Sequence, residues 1–343
     1  AAAYRDLFTN PDLSKNKEMI LFSDYDKDLN RKNNTSTVLN WQWNLSRSLA
    51  DSYLKSDGTP ITEADRTKTF VDMFTDRDPR MAETIMYPGF INEGDNSTLP
   101  TKIVLDYGGL GQIKFLPRTD ATYGGWGENI TDLPIIRYAE ILLINAEAKA
   151  ELGILTQNDL NATVNLLRSR VEMPEMTINV PIDPALEALY PSVSGALKNV
   201  ILEIRRERRV ELVFEGFRFD YLMRWKAGKL LEKEPEGLYF PGLGKYDLTG
   251  DGIEDIYLIP SDANIPAEAD KETNSLGEKL VYYRTGSIDD VNATVYLREG
   301  TKGNILTIKD MGTFQEPKYY YRPVPKHEMD LNPNLGPQLF GWE

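Results

Sequence analysis

Cysteine is absent from this 343-residue sequence, and histidine occurs once, at His327. The first absence excludes disulfides, thiolate metal sites and a cysteine nucleophile together. The second leaves a Ser-His-Asp relay one place to be built. That place, RPVPKHEMDLNPN, reads as a proline-rich loop carrying a solvated histidine. Positive charge is scarce as well: 39 Lys and Arg stand against 53 Asp and Glu, a net charge of −14. A balance of that sign argues against nucleic acid as a partner, because phosphate contacts need clustered outward-facing cations. No stretch nears the roughly 18 consecutive apolar residues that a membrane-crossing helix needs.

The chain does have a hydrophobic content of 41%, enough to bury a substantial core, and an aromatic content of 10%. Its opening, AAAYRDLF, reads as the interior or end of a helix, so we expect it to start downstream of a further N-terminal part. Residues 1–131 are irregular. A short first helix leads to the run Met19–Ile20–Leu21–Phe22, a strand or buried segment, and a polar loop then leads to Trp41 and Trp43. LADSYLKSDGTPI reads as a helix stopped at Asp57-Gly58, and a second helical piece ends at Pro88-Gly89. The glycine-rich DYGGLGQIKF…TYGGWGEN lacks the spacing and the following Lys-Ser/Thr helix of a phosphate cradle.

Residues 132–232 read as a helical core. One helix is expected over DLPIIRYAEILLINAEAKAELG, with Asp132 as N-cap, Pro134 in the first turn and Gly153 as the stop. Its stripe of Ile136, Ala139, Leu143, Ala146 and Ala150 leaves room for a second helix, expected over NDLNATVNLLRSRVEM. A third helix is expected from Ser194 to Glu215, continuing to about Leu231. Residues 233–343 read as loops and short strands (IEDIYLIP, LVYYR, ATVYLRE, NILTIKD) forming small sheets or hairpins.

The third helix holds the densest chemistry in the chain. Arg205–Trp225, RRERRVELVFEGFRFDYLMRW, carries six arginines and four acids. Val210, Val213, Phe214, Phe217, Tyr221 and Trp225 follow i, i+3, i+4 spacing, which predicts one apolar stripe. Arg208, Glu211, Glu215 and Arg218 fall on a neighbouring face as a ladder of opposite charges. Two catalytic carboxylates would need different environments facing a cleft, and one ladder on one helix does not supply them. The stretch reads as scaffold.

Those same residues resemble the signature of the SusD/RagB family, surface glycan-binding lipoproteins of Bacteroidetes outer membranes. RYAEILLINAEA, YLKSDGTPI with FTDRDPRM, and the closing RPVPKHEMDLNPNLGPQLFGW match further family segments in the right order, the last with a small departure at Pro337–Trp342. The resemblance implies a mainly α fold: tetratricopeptide-like helical hairpins, a loop-rich ligand-binding subdomain and short β-hairpins, all within a single domain over residues 1–343. It also implies glycan capture without catalysis, delivery to a SusC-like TonB-dependent transporter, and an N-terminal lipid anchor, absent from this chain, on the outer-membrane surface. Peptide capture is an alternative within the family; a glycoside hydrolase or a helical-repeat adaptor are alternatives outside it.

Sugars offer apolar C–H faces to aromatic rings and hydroxyls to amides and charges. Rings on irregular segments are therefore the candidates: Trp41 and Trp43, then Tyr123 and Trp126, then Tyr25 and Tyr87. The competing reading for each is core packing or loop anchoring. One metal site is also written into the sequence. DLTGDGIED places Asp247, Thr249, Asp251, the carbonyl of Ile253, and Asp255 at alternate positions of an EF-hand-like calcium loop, with Gly252 at the turn. Leu258 stands where a true EF-hand has its bidentate acid, and an Asp/Gly turn between strands is the alternative.

Overall fold

The computed structural model describes residues 2–40, 43–92, 98–118 and 126–342. The expectation of a mainly α fold is wrong: helix accounts for 28% and strand for 15% of the structure. Helical pairs do form its centre. The fourteen-residue helices Tyr138–Glu151 and Lys198–Glu211 pack on one another. Ala139, Leu143, Ala146 and Ala150 are buried at that contact, as their spacing predicts.

The first of these helices is shorter than expected. Leu133–Arg137 is a strand (β2) that pairs antiparallel with Met19–Ser23 (β1), and the helix begins at Tyr138. Pairing with a distant strand outweighed the local helix-start signals. Asp132 still caps backbone, but of other segments: its two carboxylate oxygens accept the N–H groups of Leu13 and Tyr25. Gly153 ends the helix as expected, in a left-handed conformation at φ 72°. The second expected helix is two short ones, Gln157–Asn161 and Val164–Arg170. The former opens with a reciprocal Thr156–Asp159 capping box.

The third helix is also divided. Lys198–Glu211 stops at Leu212, and Arg218–Arg224 starts afresh. Between them Phe214 (φ 64°) and Gly216 (φ 86°) turn the chain. The single apolar stripe is therefore broken, and Phe214 emerges to the surface, 36% exposed.

The C-terminal strands form one sheet instead of separate hairpins. It comprises Glu236–Phe240 (β3), Gly244–Tyr246 (β4), Ile256–Pro260 (β5), Val281–Gly286 (β6), Val295–Leu297 (β7) and Gly303–Leu306 (β8). The strand order is β3-β8-β7-β6-β5-β4, with β5–β6 and β6–β7 parallel. β3 and β4 stand at opposite ends of that order, yet only residues 241–243 join them. The four Cα–Cα steps from Phe240 to Gly244 reach at most about 14 Å, so the sheet has to curl to bring its ends near each other. The Phe240 and Tyr246 rings touch across the gap at 4.8 Å.

Two large apolar cores result. One is helical, built on Leu143, Leu160, Val200, Ile204 and Trp225. The other joins the 45–110 segment to the sheet through Tyr53, Met81, Leu105, Leu238 and Leu258. Val210, near the end of the Lys198–Glu211 helix, belongs to the second core, so that helix is clamped between both. A tight backbone crossing fastens the sheet: Leu238 N–H donates to Gly108 O at 2.8 Å. A Cβ added to Gly237 would lie 2.1 Å from that same oxygen, so only glycine fits there.

Candidate ligand-binding site

Most charged residues of the Arg205–Trp225 stretch are buried framework and do not form a ladder; Asp220 and Arg224 are exposed, and Arg209 and Arg218 are partly so. Glu211 is fully buried and receives three cations from elsewhere in the chain: Arg80 at 3.0 Å, Arg137 at 2.7 Å and Arg170 at 2.6 Å. Glu215 receives Arg137 at 2.6 Å and Lys114 at 2.7 Å, while Glu207 receives Arg80 and Arg168. Burial by itself would raise the Glu211 carboxyl. The three guanidinium groups outweigh it and hold that carboxyl well below the usual carboxylate range. Burial pushes the Lys114 ammonium down to about 8. The other signature helix joins the same framework, because Glu147 accepts both Arg224 (2.6 and 2.9 Å) and the Trp225 indole N–H (2.6 Å).

Glu207, Glu211 and Glu215 are too enclosed to meet a ligand, so the search moves to the surface. Trp43 is 53% exposed and stands in a cleft of about 370 Å³ whose wall includes Val38, Phe115, Leu133 and Phe214. Two amides, Asn34 and Gln112, border the same space. Apolar rings with a few amides are the composition that reads a sugar. Trp126 is 70% exposed. Its segment is tied to this loop cluster by paired backbone hydrogen bonds between Asn129 and Asn33 (2.8 and 3.1 Å) and by the Lys32–Glu128 ion pair at 2.5 Å.

The other candidates separate. Trp41 and Tyr123 lie outside the described residues. Tyr25 is partly buried beside Asp132 and does not line the cleft. Tyr87 packs edge-on against Phe90 at 5.6 Å and lies near the 247–255 loop, where Gly89 N–H donates to Thr249 O. Phe214 is the cleft residue that sequence reasoning missed. Helical periodicity placed it in the core, and the only contrary signal was Gly216 two positions later. His327 is exposed on the surface.

The aspartate loop is a tight turn. Asp247 accepts N–H groups from Thr249 (3.0 Å), Gly250 (2.6 Å) and Gly252 (2.8 Å), and Asp251 accepts Ile253 N–H. Asp255 is buried and caps Leu248 N–H, and burial raises its carboxyl. Among the described residues no cluster of three acids or histidines is set to hold a metal. Asp247 spends three acceptor positions on this turn, which leaves little of its carboxylate for an ion. The turn geometry predicts an unchanged melting temperature on adding calcium or chelator; a rise with calcium, reversed by chelator, would place an ion in the loop.

Fold and site together define a mixed α/β scaffold: a paired-helix centre, a curled sheet and an aromatic-lined surface cleft. The chain belongs to the SusD family, whose model matches residues 17–342. Among solved structures, it is similar to a SusD-like carbohydrate binding protein from Bacteroides fragilis (23% identity, TM-score 0.60). A second SusD-like protein from that organism is 20% identical, also with a TM-score of 0.60. The alignments cover 97% and 99% of this chain but 57% of each of those chains, so it spans little more than half their length. At such identities the likeness concerns the fold. No curated protein sequence matches the chain.

Proposed function

We propose that this chain is the glycan-capturing part of a cell-surface protein that binds an oligosaccharide and passes it, unhydrolysed, to a SusC-like TonB-dependent transporter. Such a protein is held by a lipid anchor on the outer face of the outer membrane. The observation that carries the reading is Trp43: a large ring left half in water, in a cleft with Phe214 and two amide side chains. Membership in the SusD family, and a similar fold in a protein described as carbohydrate binding, support it.

Calorimetric titration with a panel of oligosaccharides tests it. Trp43→Ala removes the stacking platform and is expected to weaken binding about tenfold, the upper part of the roughly 0.5–1.5 kcal/mol that an aromatic contact provides beyond its buried area. Trp126→Ala is expected to weaken it less, as Trp126 does not line the cleft and only its segment is tied to the same loops. Equal affinity in both variants refutes the site. Release of reducing sugar refutes capture without hydrolysis, and binding of peptides in place of sugars refutes the ligand class.

A further inference from the structure

The buried arginines are paired with acids almost throughout the helical centre. Arg80, Arg137, Arg168, Arg170 and Arg206 each meet one or more carboxylates. Arg208, Arg209 and Arg218 do not: among the described residues none has a carboxylate at ion-pair distance, and of the three Arg208 is enclosed against the Tyr221 ring. Arg209 donates to the Ser48 hydroxyl at 2.9 Å, and Arg218 to the Tyr190 hydroxyl at 3.3 Å while lying 5.2 Å over the Tyr221 ring. Both line one surface cleft of about 460 Å³ between Asn44–Leu49 and Leu212–Tyr221. Phe214 belongs to this cleft and to that of Trp43, so the two spaces adjoin.

Two arginines on one cleft, neither with a carboxylate at ion-pair distance among the described residues, stand out in a chain of net charge −14, although Arg209 also borders a second cleft that Asp51, Asp183 and Glu234 line. Like charges at close range disfavour each other unless an anion lies between them. Burial lowers Arg209 to about 10, and the neighbouring Arg218 charge acts in the same direction. A guanidinium presents a planar fork that matches carboxylates and oxyanions. The Ser46 hydroxyl lines the cleft, 2.9 Å from that of Ser48, and adds a donor of the kind that completes an oxyanion's shell.

We propose that the Arg209–Arg218 cleft binds an anionic substituent of the ligand, a carboxylate or a sulfate ester, beside the aromatic platform. The ligand class is then an acidic glycan, a uronate-containing or sulfated one. That class rests on the glycan reading of the Trp43 cleft, whereas the anion site stands on its own geometry.

Thermal shift with simple anions tests the site apart from the platform. Sodium sulfate and sodium glucuronate, each compared with sodium chloride at equal ionic strength and with glucose, are the probes, and their two responses distinguish the substituents. A rise in melting temperature with either anion in the wild-type chain is expected. Arg218→Gln, at a partly exposed position, is expected to weaken the response about tenfold or more, as loss of a charge-assisted hydrogen bond does. Arg209→Gln is expected to do the same. Arg209→Lys, which keeps the charge and loses the fork, is expected to lie between. No response in the wild type, or an equal response in Arg218→Gln, overturns the anion site. Trp43→Ala leaves the sulfate response, which involves no sugar ring, unchanged. Loss of glycan binding in neither Trp43→Ala nor Trp126→Ala would defeat the glycan reading while leaving the anion site intact.

Discussion

Replacing Glu211 by alanine is expected to remove about 3–5 kcal/mol of folding stability, the scale measured when one partner of a buried ion pair is deleted. Few substitutions in this chain should cost more. Glu211 has no exposed surface, and its carboxylate meets Arg80, Arg137 and Arg170. Its removal leaves three enclosed guanidinium groups short of countercharge. Those cations come from residues 80, 137 and 170, so the loss reaches both large cores. Chemical denaturation at pH 7 measures the effect, and a change below about 1 kcal/mol would mean that water or a neighbour replaces the carboxylate. A pH dependence follows, with its sign set by the folded-state shift. Glu207, Glu211 and Glu215 all titrate below the ordinary 4.5 in the folded protein. Their stabilisation is therefore fully present above about pH 4.5 and lost as pH falls through the folded values. An acid titration by circular dichroism should show a steep loss below that range, and Glu211→Gln should flatten it.

The second large effect is expected at Gly237. Alanine there would set its Cβ 2.1 Å from Gly108 O and 2.5 Å from Gly108 Cα, both backbone atoms with no rotamer to yield. Either β3 withdraws from the 105–109 turn or the Leu238–Gly108 hydrogen bond breaks. Overpacking of this kind costs about 1–3 kcal/mol and can exceed it. Leu238 lies in the sheet-side core with Leu105 and Leu110, so the displacement should spread. A fall in melting temperature is the expected readout. Gly89→Ala, where no atom lies within reach of an added Cβ, is the control: it carries the strain of φ 82° without the clash.

Much of the local structure was legible in the chain. The apolar run at Met19–Phe22 became β1, the alanine-spaced stripe became the helix contact, and Gly153 stopped its helix. The four strand candidates near the C-terminus all became strands. What could not be read depends on partners far away in sequence. The helix signals before Tyr138 lost to pairing between residues 19–23 and 133–137, which no local window contains. The merging of short strands into one sheet rests on parallel pairings that carry no turn signature. The overestimate of helix has that common cause.

The site was legible in part. Trp43 was identified by the rule that rings on loops bind, and it does stand in a cleft. Phe214 was misplaced because periodicity was carried across Gly216. The acids of the signature were read as a helix-face ladder because their cations, at positions 80, 114, 137, 168 and 170, are invisible to spacing along one helix. The unpaired state of Arg209 and Arg218 emerges only after those pairings are counted.

The meeting of β3 and β4 bears on how the protein behaves in company. An open sheet of six strands ends in two rows of unpaired backbone donors and acceptors, each a template for a strand from another molecule. Here the row on β3 is met by the 105–109 turn, through the hydrogen bond from Leu238 to Gly108, and the short link to β4 keeps both end strands close. Drawing β3 away from that turn should therefore show itself as self-association at high concentration before it shows as unfolding.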